Sequence, residues 1–280
     1  MLWSLYEATG LVEYPGFEGY RTKRVDFGFE EVYEIEAFDV SRLKLPTEWM
    51  ESALKVAQGK VDLIVLELYC QLGSAISRAC EKGHRVAYFG VTKSVDFLSY
   101  NCLGCLVELL KCLAEGSSVK VWCHISTPCT AGCGLRHLHM KNESFLPKWR
   151  EQIAQHIQGW NRIARLFARH CDNPRLLLTQ EWPERTDLWY EESYRRAARQ
   201  LKLTRSGCRV ERCCFDGVLK TWYFCSNQPL FVQALLKYQK CSNDHEHRRV
   251  EVKDSGFYPE EMGRVLLSVA RGVLKSLQRG

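Results

Sequence analysis

Apolar positions along the chain fall into short dense blocks separated by stretches with helical spacing. The run "VDLIVLELYC" (61–70) is short, largely apolar and of strand length, with Glu67 inside it, as expected for a strand covered on both faces. "QLGSAISRACEKG" (71–83) follows as a helix, capped by Ser74, with Ile76 and Ala79 among its apolar positions and Gly83 at its end. "HRVAYFGV" (84–91) is the next strand, so the unit predicts a parallel pair with a right-handed crossover. "CLGCLVELLKCLAE" (102–115) reads as a helix, and one helical turn alone accounts for the spacing of Cys102 and Cys105. "SSVKVWCHIS" (117–126) is a strand, 147–170 a long helix tolerant of Gly159, and "PRLLLTQEW" (174–182) a strand running into Pro183. "LWYEESYRRAARQLKL" (188–203) is a basic helix. "CRVERCCF" and "VLKTWYFCS" flank Asp216–Gly217, which predicts a two-residue hairpin turn.

Ahead of this alternation, "FGFEEVYEIEAFDV" (27–40) suits a strand and "PTEWMESALKVAQG" (46–59) a helix with proline near its start. The chain therefore divides into an N-terminal extension (1–55), an α/β core (56–240) and a C-terminal helical extension (241–280). A length of 280 residues suits one enlarged α/β domain. No apolar run approaches the roughly 18 residues of a membrane span, and the N-terminus carries no signal-like basic and apolar regions. Fourteen cysteines without a secretory signal, many in apolar blocks, indicate buried thiols in a reducing compartment. The expected location is intracellular, cytoplasmic or nuclear, without a membrane partner.

The formal charge of +6 is concentrated. Residues 141–212 hold fifteen Lys/Arg against nine Asp/Glu. Arg162, Arg165 and Arg169 recur at helical intervals, and Arg195, Arg196 and Arg199 form a second group. Both groups are candidate contacts to DNA or RNA, the alternative being a solvated helix face. Trp160, Trp182 and Trp189 suit either base stacking or core packing.

In an open α/β sheet, ligands gather beyond the C-terminal strand ends. Three such ends carry chemistry here. "LELYCQLGSA" (66–75) leads Glu67 into a loop with Gly73 and Ser74; "AYFGVTKS" (87–94) is followed by Asp96; "KVWCHIS" opens into "TPCTAGC" (127–133), with Cys129 after Pro128. The first stretch resembles the opening motif of S-adenosylmethionine-dependent methyltransferases, with Gln71 where many members have glycine. Pro128–Cys129 resembles the proline–cysteine motif of DNA cytosine-5 methyltransferases. Glu181, in "LLLTQEWP", matches in kind and order that family's base-contacting glutamate, with Glu–Trp–Pro here in place of Glu–Asn–Val.

The resemblance spans about residues 60–230. It implies a Rossmann-like methyltransferase sheet closed by a C-terminal antiparallel hairpin, and methyl transfer to nucleic acid, at cytosine C5 or at a ribose. It further implies Cys129 and Glu181 as catalytic groups, and a cofactor held by Glu67, Gly73, Ser74 and Asp96. A noncatalytic nucleic-acid-binding protein that keeps the fold is the alternative. The third strand of that sheet has no counterpart between 97 and 117.

Two competing chemistries also arise from the thiols and imidazoles. Cys129, Cys133 and His137 form one candidate set for structural zinc, and Cys241, His245 and His247 in "KCSNDHEH" a second. Cys123 and His124 alternate sides on a regular strand, so they do not serve one site together. A cysteine hydrolase with Cys129 as nucleophile and His124, His137 or His139 as base is the remaining reading.

Overall fold

The structure, a computed structural model, describes residues 44–82, 85–92, 95–114, 116–132, 144–203, 207–248 and 257–278. All of these lie in the compact unit Ser41–Gly280. The strand expected at 27–40, and Gly83 at the end of the first core helix, lie outside the described residues. A 3-10 turn, Thr47–Trp49, leads into α1 (Met50–Ala57). The core then runs β1 (Leu63–Leu68), α2 (Ala75–Glu81), β2 (Val86–Val91), α3 (Tyr100–Leu110), β3 (Lys120–Ile125), α4 (Phe145–Phe167) and β4 (Leu176–Pro183). It continues through α5 (Glu192–Gln200), β5 (Cys208–Glu211), α6 (Cys213–Asp216), β6 (Thr221–Ser226), α7 (Pro229–Leu235) and α8 (Glu260–Ser276).

The six strands form one sheet in the order β2-β1-β3-β4-β6-β5. β1 to β4 are parallel, and β6 runs antiparallel to both β4 and β5. The fold is thus mixed α/β with a mostly parallel sheet. Among the described residues no strand intervenes between β2 and β3. α3 fills that interval, and Arg175 closes its end by donating to the carbonyls of Cys112, Leu113, Ala114 and Ser117. These carbonyls lie in and after the 3-10 turn Lys111–Leu113 that follows α3.

The front face of the sheet carries a buried apolar core. Val65, Trp122, Leu177, Trp222 and Phe224 pack there against α2, α7 and α8. α8 presents Met262, Leu266, Ala270 and Leu274, four residues apart, as one buried stripe. Gly263 lets that stripe approach closely, since a Cβ there would overlap the Ala75 backbone. On the back face Trp182 meets Trp160 of α4 and Tyr194 of α5, with ring centroids 5.7 and 4.7 Å away. Trp160 and Trp182 are fully buried, so packing is their role. α4 passes unbroken through Gly159, where a Cβ would collide with the Tyr69 hydroxyl.

The link between β5 and β6 corrects the expected two-residue turn. It is longer and contains the single helical turn α6. Arg212 pairs with Asp216 at 2.8 Å along that turn, and Gly217 leaves it at φ 73°. Asp216 stays helical and accepts from the Val218 amide, whereas a tight hairpin turn requires left-handed geometry at both central residues. The antiparallel β5–β6 pair itself forms as expected. The described cysteines make no disulfide with one another, and Cys102 and Cys105 lie buried on α3. No described helix is long and apolar enough to cross a membrane.

Candidate active site

The loop after β1 contains two left-handed residues, Tyr69 at φ 62° and Gly73 at φ 66°. A side chain at Gly73 would meet nothing within 4 Å among the described residues, which leaves room for a ligand over the backbone there. Ser74 caps α2 by accepting from the Ser77 amide at 3.0 Å. Its hydroxyl also donates to Glu67 Oε2 at 2.5 Å, and Tyr88 donates to the same oxygen at 2.6 Å. Glu67 is buried, and burial raises its pKa to about 7 against both hydrogen bonds. Glu67 and Ser74 are therefore together, but the carboxyl supports the loop from beneath rather than facing outward. Asp96 is exposed in the turn entering α3, where its Oδ1 accepts from the Leu98 amide at 2.9 Å.

Strand register then builds a polar row across the front face. Glu67 pairs with His124, His124 with Thr179 and Thr179 with Ser226. All four are buried. Burial lowers the His124 pKa to about 3, so the ring is neutral and carries one N–H. Tyr258, just ahead of α8, donates to Glu181 Oε2 at 2.8 Å. Its oxygen therefore accepts from His124 Nε2, 3.0 Å away. His124 Nδ1 is then the acceptor for the Thr179 hydroxyl at 2.9 Å, and Thr179 Oγ1 accepts from Trp122 Nε1 at 2.9 Å. The tautomer follows from these partners. A directed hydrogen-bond chain thus ends on Glu181, with Ser126 donating to the same carboxylate oxygen at 3.3 Å.

Glu181 is buried at the C-terminal end of β4. Burial raises its pKa to about 7, opposed by Tyr258, Lys220 and Ser126. Its second oxygen, Oε1, is buried and has no hydrogen-bond partner among the described residues. A buried acceptor without a partner is costly and marks a place for a ligand, a proton or an ordered water.

Cys129 lies beyond the end of β3 on a loop fastened at two points. Trp182 Nε1 donates to Thr127 O at 2.8 Å, and Trp149 Nε1 donates to Ala131 O at 3.0 Å. Cys129 is half-buried. Lys220, held with its amine 5.3 Å from the Trp222 ring centroid, lies within electrostatic range of both Glu181 and Cys129. Lys220 and Tyr258 are site residues that sequence reasoning did not single out, and no local motif marks either one.

The basic residues are less uniform than their spacing. Arg165 and Arg169 are exposed, while Arg162 donates to the carbonyls of Phe97 and Ser99 at 3.4 Å each. Arg195 and Arg199 both approach Glu192, at 3.7 and 3.2 Å, and Arg196 is half-buried. A cavity of about 500 Å³ on the back face is lined by Trp189, Tyr190, Tyr194, Arg195, Arg199 and Tyr223, among others. A second, of about 610 Å³, lies at the opposite strand ends beside Asp62, Lys120 and Arg271.

Of the two thiol–imidazole sets, Cys133 and His137, with His139, lie outside the described residues. The second set does converge, and Cys213 joins it. The donor atoms of Cys213, Cys241, His245 and His247 all lie within 4.8 Å of one another, an arrangement compatible with zinc. No family model matches the chain, and no curated protein matches its sequence.

Proposed function

We propose that this protein transfers a methyl group from S-adenosylmethionine to a base in DNA or RNA, with cytosine C5 as the acceptor. One observation carries the reading. A buried glutamic acid at a strand end keeps one carboxyl oxygen without a partner among the described residues, and Lys220 lies within electrostatic range of both that acid and Cys129, beyond the neighbouring strand end. The sheet supports it too, since a lone reversed strand lies inside an otherwise parallel array.

The loop after β1 fits the cofactor through its left-handed turns and the open space over Gly73. Gly73 and Asp96 would hold it, while Glu67 and Ser74 fix the loop shape. When bound, S-adenosylmethionine supplies an electrophilic methyl group. Cys129 adds to C6 of the base as the thiolate, which raises electron density at C5 for the methyl group, and loss of the C5 proton to water then expels the thiolate. Glu181 Oε1 delivers a proton to N3, a role suited to a carboxyl with a pKa of about 7. Tyr258 and Ser126 hold the other oxygen, so the proton-bearing edge is fixed in direction. The base has to leave its stack, or already be unpaired, to reach these groups.

A noncatalytic nucleic-acid-binding protein is the second reading, favoured by the inward use of Glu67. Trapping on 5-fluorocytosine-containing DNA and, separately, RNA in the presence of S-adenosylmethionine distinguishes the two. A covalent adduct that disappears in Cys129→Ser is expected with one of the nucleic acids. An adduct that survives Cys129→Ser refutes the assigned nucleophile. Absence of cofactor binding to the folded protein at millimolar concentration refutes methyl transfer and leaves the binding protein.

A further inference from the structure

We infer that Cys213, Cys241, His245 and His247 bind one Zn²⁺ in a closed tetrahedral site that clasps the segment after α7 onto the β5–β6 connection. The geometry is that of a preformed ligand set. Cys241 Sγ lies 3.2 Å from His247 Nε2 and 3.6 Å from His245 Nε2. Tetrahedral zinc with ordinary Zn–S and Zn–N bonds sets sulfur and nitrogen ligands about 3.5 Å apart. Two thiolates with two imidazoles form a donor set that favours zinc over the hard oxygen-seeking cations.

The surrounding groups are arranged as supports for a metal. Asp244 Oδ1 lies 3.0 Å from His245 Nδ1, which fixes that ring with Nε2 free to coordinate. Ser242 holds the same carboxylate oxygen at 2.6 Å. The Asn243 amide donates to Cys241 Sγ at 3.2 Å, from a residue at φ 59°. Cys214, next to the ligand Cys213, points elsewhere, toward the carbonyls of Tyr238 and Lys240 at 3.8 and 3.9 Å.

The segment has little apolar packing to hold its shape. "QKCSNDHEHR" (239–248) has no buried residue, and its three half-buried positions are Cys241, His245 and His247. Apolar burial therefore contributes little to its folding, which is the usual circumstance of a structural zinc. The clasp bears on the neighbouring chain. Arg248 exchanges backbone hydrogen bonds with Gly217 and Leu219, at 2.7 and 3.1 Å, immediately before Lys220. Four protein ligands leave no open coordination position, so the metal positions this connection and takes no part in chemistry. The inference stands whether or not the chain transfers methyl groups.

Elemental analysis of the full chain, purified under reducing conditions without chelator, tests it. The expected result is about one zinc per chain, with thiolate-to-cobalt charge transfer and tetrahedral ligand-field bands after exchange with Co²⁺. Cys241→Ser and His247→Ala lose the metal, Cys214→Ser retains it, and Asp244→Ala weakens binding about 10- to 100-fold. If the ligand variants fail to fold, chelator titration of the unmodified chain decides, with loss of thermal stability expected as zinc leaves. A folded metal-free protein indifferent to chelator overturns the inference. So does a Cys213–Cys241 disulfide in the reduced preparation, or full zinc occupancy in Cys241→Ser.

Discussion

Replacing Glu67 by glutamine gives the sharpest physical test of the buried polar row. The carboxyl accepts from Ser74 and Tyr88 and has a pKa of about 7 in the fold, against 4.5 for the group in water. Between those values the folded state binds more protons than the unfolded state, so stability falls as pH rises. Glu67 contributes its full stability below pH 4.5, and that contribution is lost as pH passes through about 7. At about 1.4 kcal/mol per pH unit, the loss amounts to about 3 kcal/mol. Glutamine keeps the acceptor oxygen and does not titrate. The Glu67→Gln protein should therefore gain about 3 kcal/mol relative to the parent between pH 4.5 and pH 8. Urea unfolding at pH 4.5, 5.5, 6.5 and 8, compared pairwise, reads this directly. His124 and Glu181 also titrate abnormally, but they are common to both chains and cancel in the difference. Parallel stability curves for the two proteins would refute the buried-acid account of Glu67.

Trp182→Phe keeps an aromatic ring on the back face but removes the donor to Thr127; a loss of about 2 kcal/mol in chemical denaturation is expected, with slower adduct formation at Cys129. Stability unchanged within about 0.5 kcal/mol would show that the Cys129 loop is held otherwise. Gly263→Val forces α8 away from the Ala75 backbone and should cost about 3 kcal/mol, read as a fall in Tm; an unchanged Tm would mean that the α8 crossing is loose.

The parts of the fold written in local pattern were legible. The apolar run around Leu66, the cap at Ser74 and the long helix over 147–170 each depend on neighbours within a few residues. The Asp216–Gly217 signal was also local, but the pairing of Arg212 with Asp216 gave a helical turn the better hydrogen-bond set. Glu181 could be found because a strand delivers its last residues to one end of the sheet. Tyr258 could not, since it reaches Glu181 across 77 residues through the packing of α8. Cys213 reads as one of two adjacent core thiols until the polar segment at 241–247 folds back on it. Lys220 became visible only with the position of Trp222 beneath its amine. Long-range packing brings these residues to their sites, and no short spacing encodes it.

The placement of α8 also sets an order of events during synthesis. β1 to β4 can align as they leave the ribosome, but β6 must then insert between β4 and β5 to complete the sheet. Even then the part of the apolar front face that α8 covers stays open until residues 260–276 have emerged. A nascent chain paused before that point displays sticky surface, the condition under which chaperones bind and aggregates start. Synonymous changes that slow translation between β6 and α8 would therefore lower the yield of soluble protein without altering a single side chain.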